Sequence, residues 1–99
     1  MAGAVIQTGA RIGDNVIVNT GAIVDHDCVI GAHCHVAPGA VLSGGVSVGD
    51  DSHIGTGAVI IQGIQLGEQC VVGAGAVVIR NHAAASRLVG VPAKRIGTQ

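Results

Sequence analysis

The chain contains no phenylalanine, tyrosine or tryptophan among its 99 residues. Ordinary globular cores are anchored on aromatic rings, so any core here is built from aliphatic side chains alone. Charge is scarce as well: Lys, Arg, Asp and Glu make up 11% of the chain, and the net charge is −1. That leaves no electrostatic footprint for a nucleic-acid partner. The sequence has no uncharged apolar run of about 18 residues and no basic-then-apolar leader at its start. No membrane partner is expected, and the expected location is the cytoplasm. No CxxC pair occurs among Cys28, Cys34 and Cys70, which argues against a redox or zinc-ribbon motif.

What the chain does have is a period of six. Ile6, Ile12, Val18, Val24, Ile30, Val36, Leu42, Val48, Ile54, Ile60, Leu66, Val72 and Val78 form an unbroken aliphatic ladder. Four positions after each rung comes a small or modest side chain, and all three cysteines fall in that row. They read as small buried hydrophobes. Three positions after each rung stand Gly9, Asn15, Gly21, Asp27, His33, Gly39, Gly45, Asp51, Gly57, Gly63, Gln69, Gly75 and Asn81. Except for Gln69, these are the residue types that best tolerate positive φ. Each hexad is therefore a short strand followed by a turn. Thirteen of the 17 glycines lie in two rows of the repeat, which excludes low-complexity disorder.

A hexad is too short to fold back on itself, but three hexads in succession make one triangular turn. Successive turns stack as parallel strands about 4.8 Å apart. The expected fold is all-β: a parallel β-helix of four to five triangular coils over residues 1–82, with a C-terminal capping tail over 83–99. The period does not set the handedness. Met1 is expected as the first turn residue of an incomplete hexad, which suggests a fragment or shortened relative of a longer protein with a further domain upstream. At the other end Ala84 stands where a rung is due. The tail from Arg87 to Ile96 reads as a strand or cap over the last coil, and its two basic residues after Pro92 are also suited to a phosphate group.

The polar exceptions cluster between residues 25 and 35. With a coil of three hexads, His26 stacks beside Gly44 and then Gln62, and His35 beside His53. An imidazole flanked by carboxylates suits a general base. A glycine one coil away leaves space for a ligand and exposes an N–H to a developing oxyanion. Against these readings, Asp27 and His33 lie in the positive-φ row and fit simple turn residues. His53 fits a solvated surface stack, and His82, at the end of the repeat, an exposed position.

Four stretches resemble one family: Asn19 to Gly31 (NTGAIVDHDCVIG), His35 to Ala40 (HVAPGA), Val71 to Val78 (VVGAGAVV) and Val89 to Lys94 (VGVPAK). They are similar to the sialic-acid O-acetyltransferase and UDP-amino-sugar N-acetyltransferase family of the hexapeptide-repeat acyltransferases. The resemblance implies a left-handed coil, a homotrimer, and acetyl-CoA as acyl donor bound between adjacent subunits. It implies His26 as general base, Asp27 as the carboxylate that raises its basicity, and His35 at the acetyl-CoA end of the site. Gly44 would present its N–H to the thioester oxygen, Thr56 and Ala74 would line the CoA channel, and Lys94 would lie near the CoA phosphates. The acceptor implied is an amine or hydroxyl of a sugar or nucleotide-sugar. The family's N-terminal βαβ-type substrate domain has no counterpart here. Two other readings stay open at this point. One is a trimeric scaffold without activity. The other is a zinc enzyme of the γ-type carbonic anhydrase kind, although the gaps of 7, 2 and 18 between His26, His33, His35 and His53 do not match that family's ligand spacing, so no metal site is assigned.

Overall fold

In a computed structural model that describes residues 3–98, the hexads coil as their spacing requires. Thirteen two-residue strands, β1 (Val5–Ile6) to β13 (Val77–Val78), recur once in every hexad, and β14 (Ser86–Val89) and β15 (Lys94–Thr98) follow. Every third strand joins the same sheet. The first sheet runs β1-β4-β7-β10-β13, the second β2-β5-β8-β11, and the third β3-β6-β9-β12-β14-β15. Partners within a sheet lie three hexads apart, as in Val5↔Ile23 and His35↔His53. The result is a left-handed parallel β-helix of about five turns. Met1, expected as a turn residue, lies outside the described residues.

From β3 to β13 the second residue of each strand is buried, and in β14 the third is. Val24, Leu42, Ile60 and Val78 stack under the first sheet, and Val36, Ile54, Val72 and Leu88 under the third, all without exposed surface. Cys28, Cys34 and Cys70 are buried and free at the corners. Burial pushes the Cys28 and Cys34 thiols up, which removes them from nucleophilic chemistry. As far as Gly75 the turn row takes positive φ as its residue types require, including Asn15, Asp27, His33 and Asp51 at φ 56–60°; Asn81, expected in the same row, does not, because the coil shortens there and Ala85 takes the positive φ instead. Gln69 joins them at 57° despite its side chain, because the coil on each side dictates the turn.

The last coil departs from the ladder. Its register is two positions shorter than that of the coils before it, pairing Leu66 with His82 and Val72 with Leu88. The coil is thus short of three full hexads, and Ala84 never reaches a rung. Ser86 and Leu88 take the corner and rung places, with relative exposures of 1% and 0%. The tail therefore supplies part of the core before β15 turns back antiparallel on β14. His82 is not the exposed residue that the sequence suggests. It sits where an aliphatic rung would stand, half-buried, with its Nε2 enclosed and without a hydrogen-bond partner.

A buried polar atom without a partner costs about 1–3 kcal/mol. His82→Leu is therefore expected to stabilise the fold by about 1 kcal/mol in chemical denaturation. Burial, then the charges of Arg95 and Arg80, hold the His82 pKa below its ordinary 6.5. The unfolded chain consequently binds more protons below that pH, and His82's share of stability is lost as pH falls from 6.5 toward the lowered value. His82→Leu should flatten the acid side of the stability curve. An unchanged curve would contradict this account.

Candidate functional site

Each corner of the prism carries a column of turn residues, one from every third hexad. The corner between the first and second sheets carries Thr8, His26, Gly44, Gln62 and Arg80 in succession. His26 is exposed there, with its ring bonded to Asp25 and lying against Gly44. Its Nδ1 lies 2.8 Å from Asp25 Oδ1, and its own backbone N–H donates to the same oxygen at 2.7 Å. An ionised carboxylate only accepts, so Nδ1 carries the proton and Nε2 the free lone pair. The hydrogen bond to Asp25, then the Asp25 charge, raises the His26 pKa above 6.5, and Asp27 adds the smallest push. The same hydrogen bond lowers the pKa of Asp25.

Asp27, expected to raise the basicity of the ring, does so as the smaller contribution, and Asp25 holds the ring. At φ 59° the Asp27 side chain lies against the preceding coil, where Oδ1 covers Gly9. Asp25, one position after the rung, is the residue in line with Nδ1. The alternation of the repeat carried that signal, because from Gly3 to Gly75 positive φ falls in the turn row and never one position after the rung.

The imidazole lies over Gly44. A Cβ there would stand 2.5 Å from His26 Cε1 and 2.7 Å from Nε2, so the ring position requires glycine. Gly44 takes no positive φ; the requirement is space alone. Its carbonyl accepts from Gly63 N–H at 3.0 Å, while its own N–H has no backbone acceptor among the described residues. A base with a free Nε2 and an uncommitted N–H thus stand together on one corner.

The other expected residues lie elsewhere on the prism. Thr56 and Ala74 follow one another on the corner between the third and first sheets, both exposed. Their N–H groups also lack backbone acceptors among the described residues. His35 projects from β6 on the third sheet, the face opposite the His26 corner. Asn19, which the sequence reading missed, bonds its Nδ2 to His35 Nε2, and His53 meets the His35 ring edge-on with centroids 4.8 Å apart. Burial, then His35, lowers the His53 pKa. Lys94 lines a cavity of about 280 Å³ with Arg80, His82, Pro92 and Arg95. This cavity ends the His26 column, three coils on at about 4.8 Å each. A single chain therefore unites His26, Asp25 and Gly44, and keeps His35, Thr56 and Ala74 apart from them. Among the described residues no three His, Cys, Asp or Glu side chains converge as metal ligands.

Two family models match the chain: bacterial transferase hexapeptide (six repeats) over residues 9–44, and hexapeptide repeat of succinyl-transferase over residues 45–80. Among solved structures, a variant of perosamine N-acetyltransferase from Caulobacter crescentus, in complex with CoA and GDP-perosamine, is 48% identical. It aligns at a TM-score of 0.96 over 98% of this chain and 46% of its own. The acetyltransferase domain of PglB from Neisseria gonorrhoeae, in complex with acetyl coenzyme A, is 46% identical at a TM-score of 0.96, over 97% of this chain and 47% of its own. A serine acetyltransferase from N. gonorrhoeae is 29% identical at 0.91, over 97% and 41%. The chain thus spans less than half the length of each of these solved chains. No curated protein matches it.

Proposed function

Because the chain belongs to the hexapeptide-repeat acyltransferase superfamily, we propose that it transfers an acetyl group from acetyl-CoA to an amine or hydroxyl of a sugar or nucleotide-sugar. The observation that carries this reading is the His26 ring, tied at Nδ1 by Asp25 and open at Nε2 above Gly44. His26 Nε2 takes a proton from the acceptor, which attacks the acetyl carbonyl. The Gly44 N–H stabilises the oxyanion that forms, the carbon–sulfur bond breaks, and the imidazolium returns its proton to the departing thiolate.

The donor's long axis fits the same corner. From His26 past Gly44 and Gln62 to Arg80 is about 14 Å, three coil spacings. The column ends at the cavity where Lys94, with Arg80, offers cationic groups to phosphates. Free N–H groups on Thr56 and Ala74 suit the amides of the pantetheine arm. These reach a donor lying along the His26 corner only if a neighbouring copy supplies them, as it must supply His35. The assembly proposed is a homotrimer. An outward face of Val5, Ile23, Val41, Val59 and Val77 on the first sheet gives such copies an apolar surface to bury.

Acceptor-dependent release of free thiol from acetyl-CoA, measured with a panel of amino-sugars and their nucleotide derivatives, tests the proposal. Release no faster than with buffer alone, for every acceptor, would contradict it. The share of its relatives that the chain spans favours a second reading, a trimer that forms without turnover. That reading predicts trimeric mass with no thiol release.

Asp25→Asn gives a finer test. Losing the carboxylate should return the His26 pKa toward its ordinary value, so the acid limb of kcat/KM moves to lower pH. The plateau should fall by at least roughly tenfold, because the ring loses its orienting partner. An unmoved limb would remove Asp25 from the mechanism.

A further inference from the structure

Packing alone favours an aliphatic side chain at the rung that His82 fills, so the imidazole there calls for another explanation. Its surroundings supply one. His82 lines the cavity of about 280 Å³ between the last coil and the tail, and three cationic side chains share that wall. Arg80 comes from the turn after β13, and Lys94 and Arg95 come from the start of β15. Among the described residues no carboxylate lines the cavity. On the side of the preceding coil, His82 pairs with Leu66 and its N–H donates to the carbonyl of Gln65, both uncharged. Burial, then the charges of Arg95 and Arg80, disfavour protonation of the ring. The site thus has every feature of an anion pocket except the anion: converging positive charge, a hollow, and a titratable ring whose enclosed Nε2 has no partner.

We propose that this cavity binds a phosphate group and that His82 takes up a proton as it does so, which makes donor binding tighter at lower pH. This rests on the reading that places the donor's phosphates at the end of the His26 column, and adds a regulating proton to it. A phosphate between Arg80 and Lys94 offsets the positive charge that opposes an imidazolium. The effect needs no contact with the enclosed Nε2, because a charge across a partly buried cavity acts through space. The proton comes from solvent, and no bond of the ligand forms or breaks. Coupling of this kind is reciprocal: the phosphate favours the proton as much as the proton favours the phosphate. Affinity therefore falls as pH rises through the range in which the complex holds a proton that the free protein lacks. Leucine at position 82 would leave both cationic side chains in place and remove this dependence.

The test is calorimetric titration of CoA into the parent chain and into His82→Leu, at about pH 5.5 and about pH 8. His82→Leu is expected to fold at least as stably as the parent, and the ligand's own titration is common to both. On going to the lower pH, affinity should improve in the parent by roughly tenfold more than in the variant. The same pH dependence in both would overturn the proposal. In the parent chain, the NMR signal of the His82 ring should titrate at higher pH with CoA bound. It should stay in place with pantetheine, which has the thiol arm and no phosphate. No movement with CoA, or equal movement with pantetheine, would overturn it. If CoA does not bind at all, the acetyltransferase reading fails by itself, and sulfate decides the anion site. Sulfate, compared with chloride at equal ionic strength, should then move the His82 titration upward, and an unmoved signal would overturn the proposal.

Discussion

Replacing His26 by alanine is expected to lower kcat/KM for acetyl transfer by roughly two to four orders of magnitude, the contribution of a positioned general base. The effect should fall on chemistry and leave folding intact. The His26 side chain is 59% exposed, and among the described residues its only side-chain bond is to a carboxylate that is itself 43% exposed. Its backbone contributions survive the substitution: the carbonyl still accepts from Gly45 N–H at 3.0 Å. Asp25 then has no imidazole to orient and stays solvated. Thiol-release rates for the two proteins, with matched circular dichroism spectra, check this. Equal rates would remove His26 from the mechanism.

Gly44→Ala should cost about 100-fold in the same assay, since displacing a catalytic group by about 1 Å has that scale of effect. The added Cβ would lie within 2.5 Å of Cε1, too close for any real contact, and the nearest movable object is the His26 ring. The ring must swing outward, which breaks its line with Asp25 and separates Nε2 from the Gly44 N–H. Backbone strain is not the cause, because Gly44 does not occupy the left-handed region. Gly45→Ala provides the contrast. Gly45 has φ 70° and nothing within 4 Å of its Cβ position, so alanine there strains the turn without touching the imidazole. It should lower stability by about 1 kcal/mol while the rate stays within a few-fold. Equal kinetic losses in the two variants would mean that general destabilisation, not ring displacement, is being measured.

How much of this was legible in the sequence depended on whether a feature obeyed the repeat. Thirteen rungs in one phase determine which residues face inward, which turn, and which stack three hexads apart, so the pairing of His26 with Gly44 followed from counting. The same counting misplaced the last coil. That coil is short by two positions, and an aliphatic ladder cannot announce a shortened turn when the residue at the new rung is His82 and the one at the old rung is Ala84. The partner of the base was within reach, because positive φ in the turn row sets Asp27 against the preceding coil and leaves Asp25 beside the ring. Asn19 was beyond reach. Its bond to His35 links neighbouring coils at a separation of 16, off the three-hexad register. The handedness of the coil lies in backbone geometry that a period of six does not encode. The corner-and-face arrangement matters most for function: His26 and His35, close in the sequence, stand on opposite sides of the prism.

That separation makes a structure of the chain with CoA bound the most direct test. CoA is expected in a cleft between two copies, with its sulfur beside His26 Nε2 and the Gly44 N–H of one copy. His35, Thr56 and Ala74 of the neighbouring copy should line the arm, and the phosphates should lie at the Lys94 cavity. CoA bound to a single copy away from His26, or with its sulfur distant from the Gly44 N–H, would contradict it.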